Sequence, residues 1–211
     1  MGQGHGAGEE DFTHRAVPAL ALLSAFSFLV MMFNVPVFGG TTAHAVGGTL
    51  MAILLGPWAA VLGGVIGSYS SGPVFRGWGL TAIGANCFNM GFVLPFVGYL
   101  VYRLIGRGSS FDSRRRWLAA AIGGYIGINA AALMAAIEFG VQPYFFQTAS
   151  GAPLYCPYDL SKAVPAMLIA HLAIAGPVEA AITGAVVAFL GKYHPEVFKL
   201  NPDERSQGEA L

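Results

Sequence analysis

Charged residues are concentrated at the two ends of this chain and in one central loop, and long apolar stretches with very few charges lie between them. Charged residues make up 10% of the chain and hydrophobic residues 55%, whereas an average soluble domain is about 25% charged. The 11 basic and 11 acidic residues cancel. This pattern excludes a disordered chain, a nucleic-acid-binding module with a basic face and almost any soluble globular fold. It predicts a polytopic protein of the lipid bilayer.

Six apolar stretches are expected to form transmembrane helices, which need roughly 20 residues each. Because proline fits the first turn of a helix but not its interior, Gly56-Pro57 is expected to divide two of these helices and Gly176-Pro177 to interrupt the last. The sequence therefore predicts an all-α membrane protein with about six crossings. The stretches cover residues 17–33, 45–55, 58–71, 81–104, 117–139 and 163–190.

The arginine-rich loop fixes the expected orientation. Five arginines lie within residues 103–116, and short loops rich in arginine and lysine favour the cytoplasmic side. Counting crossings from that loop places both termini in the cytoplasm and residues 140–160 outside. The expected organisation is a polar N-terminal segment, a transmembrane domain and a cytoplasmic tail, over residues 1–15, 16–192 and 193–211.

Polar side chains within the spans are few, and such groups usually face protein or water. His171 and Glu179 flank the Gly176-Pro177 break, and a satisfied interhelical hydrogen bond is the favoured interpretation for both. Asn86 and Asn89 lie three residues apart on one helical face and are expected to bond to an adjacent helix or loop. Glu138 lies near the outer end of its span, where it can reach the interface.

Small residues are frequent and favour close helix packing in lipid. The glycines inside the spans are expected to pack tightly within the chain. Ala21 and Ala25, with Ser24 beside them, make a small-xxx-small face on the first helix. That face could dock the helix of a partner rather than a neighbour in the same chain.

His44 ends a glycine-rich approach, Gly39-Gly40-Thr41-Thr42-Ala43-His44, that runs directly into a helix on the outer side. Neutral imidazole is a common ligand for nickel, copper and zinc. A histidine at a helix start is also a frequent cap or local hydrogen-bonding group. Both interpretations stand on the residues alone.

The sequence resembles the substrate-binding membrane subunit of nickel/cobalt energy-coupling factor transporters over about residues 16 to 197. Four stretches, specific in combination, carry the resemblance: Phe33-Asn34-Val35-Pro36 with Gly39-Gly40-Thr41-Thr42-Ala43-His44 and Gly47-Gly48; Ala52-Ile53-Leu54-Leu55-Gly56-Pro57-Trp58; Leu80-Thr81-Ala82-Ile83-Gly84-Ala85-Asn86-Cys87-Phe88-Asn89-Met90; and Pro157-Tyr158-Asp159-Leu160 through Val164-Pro165-Ala166-Met167 to His171 and Gly176-Pro177-Val178-Glu179.

The resemblance implies a subunit that captures Ni(II) or Co(II) for nickel enzymes or cobalamin synthesis and holds no prosthetic group. A transmembrane coupling subunit and cytoplasmic ATP-binding subunits of the cell inner membrane would drive import, often with a small accessory membrane subunit. The chain has no Gly-x-x-x-x-Gly-Lys-[Ser/Thr] loop, so it would not bind ATP that way or act as an enzyme. Ala21 and Ala25 match the positions that dock on the coupling subunit.

The resemblance also implies a metal site. His44 matches the histidine that follows the glycine-rich loop, and Thr41, Thr42, Asn86 and Asn89 are the polar residues expected around it. In the family the other donors come from a Met-His start on an extra first helix, whereas this sequence begins Met1-Gly2-Gln3-Gly4-His5. Either the Met-His segment comes from an upstream start or from another polypeptide, which we favour, or this chain binds the metal differently.

Three alternatives change the function. A six-helix subunit of the same transporter type could bind a vitamin or another small organic ligand with the aromatic residues of the 140–160 loop, although these more simply form an interface belt. An intramembrane hydrolase built on His171 and Glu179 lacks a His-Glu-x-x-His pair. A passive channel lacks a ring of acidic residues.

Overall fold

A computed structural model describes residues 4–37, 41–74 and 83–208 of the chain. Gly39, Gly40 and the expected start of the fourth span at residue 81 lie outside these residues. The described part is a helical bundle with one short β-hairpin. Its elements are α1 (Gly4–Met31), β1 (Val35–Val37), β2 (Thr41–Ala43), α2 (Gly48–Leu55), α3 (Pro57–Val74), α4 (Ile83–Asn86), a π-helical segment (Cys87–Val93), α5 (Leu94–Gly106), α6 (Arg114–Phe145), α7 (Leu160–Ala170), a second π-helical segment (His171–Ala175), α8 (Gly176–Tyr193), a 3-10 helix (Pro195–Leu200) and α9 (Pro202–Gly208).

Long apolar helices confirm a multi-pass membrane protein of mainly α structure. Three helical runs in the described residues are long and apolar enough to cross a bilayer: Ile83–Gly106, Arg114–Phe145 and Leu160–Tyr193. Shorter apolar helices cover Arg15–Met31 and Pro57–Ser68. The β-hairpin was not expected. Its strands pair antiparallel, with Val35 opposite Ala43 and Val37 opposite Thr41.

The predicted division at Gly56-Pro57 is confirmed. Gly56 has a φ of 91°, a conformation that favours glycine, and Pro57 then begins α3. The helix before this turn, α2, has only 8 residues and all of them are buried. At 1.5 Å per residue α2 is about 12 Å long, so it fills the centre of the bundle and does not face lipid.

Both ends of α2 are held by side chains from the C-terminal third of the chain. At its start, the Glu179 carboxylate accepts hydrogen bonds from the backbone N–H of Val46 at 2.8 Å and of Gly47 at 2.9 Å. At its end, the Asn201 amide donates to the carbonyl oxygens of Ala52 and Ile53, at 3.2 and 2.9 Å. These bonds add partners to backbone groups at the two ends of a short buried helix, where intrahelical partners are missing or few.

The segment after Tyr193, expected as a tail, is helical and packs against the bundle. Asn201 and Glu204 are fully or almost fully buried there, and Phe198 stacks on Phe111 with ring centroids 4.7 Å apart. The arginine-rich loop, the Gly56 turn and this C-terminal segment therefore meet at one end of the molecule. The hairpin lies at the other end, against α7.

The interruption predicted at Gly176-Pro177 is a widened turn within a continuous helix. A π-helical segment, His171–Ala175, directly precedes it, and the other π-helical segment, Cys87–Val93, stands in the same way before Pro95. Proline lacks an N–H, and its ring crowds the carbonyl four residues earlier. The wider π turn accommodates both effects, so the helix continues where the sequence predicted a break.

Glycines bring α5 and α6 into close contact. A Cβ atom added to Gly123 would lie 2.6 Å from the Gly98 carbonyl oxygen, and one added to Gly127 would lie 2.8 Å from the Leu94 carbonyl oxygen. Thr49 of α2 fits against the same crossing, beside Gly98 and Gly127. Tight internal packing is therefore the role of these glycines, as small residues in membrane helices predict.

An ion pair joins the C-terminal segment to the start of α6. The Arg116 guanidinium contacts the Glu204 carboxylate, and both side chains are almost completely buried. Arg116 also donates to the Gly106 carbonyl at 3.0 Å and lies over the ring of Tyr102. Because each charge has lost its water, each depends on the other for stabilisation.

We expect Glu204→Gln to lower the free energy of unfolding by about 3–5 kcal/mol, because it leaves Arg116 buried without a counter-charge. Asp203→Asn is the matched control. The partner of Asp203, Arg103, is part-exposed, so the loss of unfolding free energy should stay below about 1 kcal/mol. Thermal unfolding of the purified protein in detergent measures both variants. Equal losses of unfolding free energy would contradict the stabilising role of the buried Arg116–Glu204 pair.

Glu179→Gln should lower the unfolding free energy by about 3 kcal/mol, because it places an amide NH₂ where a carboxylate accepts charge-assisted hydrogen bonds. Thr183→Val is the control, one turn further along α8. Thr183 is also fully buried, and its hydroxyl has no hydrogen-bond partner in the described part of the chain. Its removal should change stability by less than about 1 kcal/mol, and a Glu179→Gln protein of unchanged stability would refute the role of the carboxylate.

Candidate metal site

His44 lies in the short link between β2 and α2. The link is compact because its neighbours Ala43, Ala45 and Val46 are buried, whereas His44 itself is half-buried. Gly47, three residues after His44, has a φ of 76°. This left-handed conformation suits glycine and turns the chain into α2. The sequence therefore places an imidazole at a fixed bend between a hairpin and a buried helix.

The imidazole of His44 is oriented by the backbone of the next residue. Its Nδ1 lies 3.2 Å from the Ala45 carbonyl oxygen. Since a carbonyl oxygen can only accept, Nδ1 carries the hydrogen and Nε2 carries the lone pair. A backbone carbonyl on one ring nitrogen is how proteins commonly orient a histidine whose other nitrogen binds a metal.

Glu179 holds the loop that carries His44. Each of its carboxylate oxygens accepts from the Gly47 N–H, and Oε2 also accepts from Val46. The prediction of a satisfied hydrogen bond for Glu179 is confirmed, although its partner is a loop 132 residues away rather than a helix. The carboxylate is committed to backbone N–H groups and acts as an anchor.

His171 is also satisfied, but within its own helix rather than by the predicted interhelical bond. Its Nδ1 lies 2.8 Å from the Met167 carbonyl oxygen, and the residue is buried. Ala43 and Val46 on either side of His44 share one apolar cluster with Ala170 and Ala175 on either side of His171. Sequence reasoning missed this neighbourhood because it took Gly176-Pro177 as a break. The continuous helix keeps His171 and Glu179 about two turns apart.

The polar residues expected around His44 have separate surroundings. Thr41 and Thr42 lie in β2, and Thr42 pairs with Pro36. Asn89 is buried in the Cys87–Val93 segment and donates to the Glu138 carboxylate of α6 at 2.7 Å, the interhelical bond that its position predicted. Asn86 is half-buried on α4.

Within residues 4–37, 41–74 and 83–208, no group of three or more His, Cys, Asp or Glu side chains is placed to hold a metal ion. The described residues thus contain no such cluster around His44.

The two faces of α1 differ. Ser24 is buried and faces α3, where a Cβ atom on Gly63 would lie 3.0 Å from its hydroxyl oxygen. Ala21 and Ala25 are exposed on another side of the helix. The small-xxx-small pair is therefore turned away from the chain's own core, while Ser24 belongs to the internal packing.

Comparisons with known proteins agree with this architecture. Residues 7–197 match the family model described as the cobalt uptake substrate-specific transmembrane region. A fused nickel transport protein NikMN of Rhodobacter capsulatus is 51% identical over 189 residues, which cover 90% of this chain and 54% of the relative. A probable fused nickel transport protein LarMN of Lactiplantibacillus plantarum is 48% identical over 194 residues, which cover 92% of this chain and 58% of the relative. The chain thus spans little more than half the length of these two relatives.

Other similar proteins are matched over more of their length. A putative metal transport protein of Methanocaldococcus jannaschii is 50% identical over 185 residues, covering 87% of this chain and 78% of the relative. The crystal structure of a truncated transition metal transporter superposes with a TM-score of 0.79 at 54% identity, covering 85% of this chain and 82% of that one. On these similarities, this chain belongs to the CbiM family of substrate-specific transmembrane regions of cobalt uptake.

Proposed function

We propose that this protein captures Ni(II) or Co(II) for an ATP-driven importer of the energy-coupling factor type. The observation that carries the proposal is His44, an imidazole whose Nδ1 is held by a backbone carbonyl and whose loop is held by the buried Glu179. A fixed nitrogen donor suits a divalent transition metal. Relatives named as fused nickel transport proteins and as a cobalt transport protein support the same class of substrate.

The proposed topology has six crossings in the cell inner membrane. Besides the three long runs, α1 and α3 supply two crossings, and α2 with the link before it supplies the remaining one. The five arginines lie at the same end as the Gly56 turn and the C-terminal segment, because Arg116 contacts Glu204 and Asn201 bonds to the end of α2. That end is the cytoplasmic one under the positive-inside rule, with both chain termini on it.

The proposed partners are a transmembrane coupling subunit, cytoplasmic ATP-binding subunits and a small accessory membrane subunit. Ala21 and Ala25 are the proposed contact with the coupling subunit. Small exposed residues let a second helix approach closely in lipid, where van der Waals packing drives association. Ser24, buried against α3, keeps α1 in its own bundle.

The exposed aromatic residues of the outer loop favour an ion over a vitamin. Tyr144, Phe145, Tyr155 and Tyr158 are 62%, 75%, 67% and 45% exposed. A vitamin site would need such rings turned inward to enclose the ligand. Exposed rings at the end of membrane helices suit an interface belt.

Between the two ions, nitrogen donors favour Ni(II) modestly over Co(II) in intrinsic affinity. Cellular use, in a nickel enzyme or in cobalamin synthesis, decides which one is carried. We therefore propose both ions as substrates of one site.

His44→Ala should weaken Ni(II) binding about 100-fold or more, because it removes the proposed imidazole ligand. His194→Ala is the matched control, since His194 is an exposed histidine beside Glu196. Calorimetric titration of the purified chain in nanodiscs measures both variants, with Co(II) titrated in parallel. A His44→Ala protein that binds like the unaltered chain would exclude this site, and displacement of bound ligand by a vitamin but not by Ni(II) would favour the organic alternative.

Replacing Ala21 and Ala25 together by tryptophan should reduce the recovery of the coupling subunit about tenfold in co-purification, because the larger side chains hold the partner's helix away. Ni(II) binding by the isolated subunit should not change. The control is the same double replacement at Ala181 and Ala185, which are equally small and exposed on α8. Equal losses from both pairs would argue against a specific docking face on α1.

A further inference from the structure

Exposed basic residues gather where the ends of three helices meet, at the end of the molecule that holds the arginine-rich loop. The loop between α5 and α6 packs against the end of α8, because a Cβ atom added to Gly191 would overlap the Phe111 carbonyl oxygen. The loop and the three helix ends together carry four exposed basic side chains, which we call the basic patch: Arg107, Arg114, Arg115 and Lys192.

The charge of the basic patch has no counter-charge in the described part of the chain. The nearby carboxylates of Asp203 and Glu204 pair with Arg103 and Arg116 instead. The one acidic residue of the loop itself, Asp112, is exposed and makes no ion pair with the patch in those residues. The dipole of α6 adds positive potential here, since two of the arginines lie in its first turn. An anion from outside the chain is therefore strongly favoured at this place.

The basic patch has an apolar border on its membrane side. Each of the three helices has an exposed apolar side chain one helical turn deeper in the bilayer than its basic residue, and on the same face. For Arg107, Arg114 and Lys192 these apolar side chains are Leu104, Leu118 and Phe189, respectively. A phospholipid has the same order of groups, with a charged phosphate at the surface and acyl chains below it.

We propose that the basic patch binds the headgroup of an anionic phospholipid, whose acyl chains lie along the apolar border. Arginine suits this role because its planar guanidinium can donate two parallel hydrogen bonds to one phosphate. Arg115 is already oriented, since its Nε donates to the Ile105 carbonyl at 2.6 Å, and its two terminal nitrogens face the loop surface as the donors for phosphate. The inference does not involve the metal ion, so its failure would leave the proposed function standing.

A lipid fits this surface better than the acidic face of a cytoplasmic protein. Phe189 and Tyr193 pack with ring centroids 5.2 Å apart, and Lys192 lies over the Tyr193 ring. Exposed aromatic rings beside a basic residue are typical of the boundary between headgroups and acyl chains, a depth that a cytoplasmic protein does not reach.

The C-terminal segment supplies a matched control. Lys199 and Arg205 are equally exposed at the same end of the molecule. Their segment also contains the three carboxylates of Glu196, Asp203 and Glu204, which offset their charge. Replacing these two cations removes as much positive charge as replacing Arg114 and Arg115, but it leaves the basic patch intact.

Electron paramagnetic resonance of spin-labelled lipids, in bilayers reconstituted with the full chain, tests the proposal by comparing phosphatidylglycerol with phosphatidylcholine. The unaltered chain should bind phosphatidylglycerol preferentially. Arg114→Gln combined with Arg115→Gln should lower that preference about tenfold, as the loss of two cations at a membrane surface predicts. Lys199→Gln combined with Arg205→Gln should change it by less than about twofold, because more distant exposed charges are screened.

Four results would overturn the proposal. The first is an unaltered chain without a preference for phosphatidylglycerol, which decides the matter even if a variant fails to fold. The second is an equal loss in both double variants, which would indicate a general attraction between charges and no site. The third is displacement of phosphatidylglycerol by excess inorganic phosphate, which would assign the patch to a soluble anion. The fourth is an arginine double variant that keeps its lipid preference but no longer co-purifies with the ATP-binding subunits, which would assign the patch to a protein.

Discussion

The hydrogen bonds from the backbone of Val46 and Gly47 to the buried Glu179 carboxylate are the contact on which the rest of the molecule depends. A helix of 8 residues has as many unsatisfied backbone groups as satisfied ones. Inside a membrane no water is available to them. Glu179 at one end and Asn201 at the other supply partners to several of these end groups, which helps α2 to occupy the centre of the bundle.

Much of the architecture was predictable because its signals are local. The turn at Gly56-Pro57, the long apolar runs and the arginine-rich loop each depend on a few consecutive residues and on the thickness of a bilayer. The contacts of Glu179 and Asn201 were not predictable, since they join residues more than 130 positions apart. The hairpin escaped prediction because its strands have 3 residues each, too few for a period.

The candidate metal site shows the same difference between local signals, which the sequence carries, and contacts between distant residues, which it does not. His44 was identified from the glycine-rich residues beside it and from the family resemblance. That residues beside His44 and beside His171 share one apolar cluster was not predicted, because Pro177 suggested a break in the helix that joins His171 to Glu179. Proline does disturb the helix there, but a π turn absorbs the disturbance. The rule that proline disfavours a helix interior was therefore right about the local disturbance at Pro177 and wrong in predicting that the helix breaks there.

The distance along the chain between α2 and its two anchors also bears on how the protein is made. Residues 48–55 leave the ribosome long before Glu179 and Asn201 are synthesised. Until those two residues are made, the backbone groups at the ends of α2 lack these hydrogen-bond partners. During that interval this segment is unsuited to contact with lipid. Membrane insertion must therefore keep it at the interface or in a hydrated channel, and the bundle closes around it only when the last helices arrive.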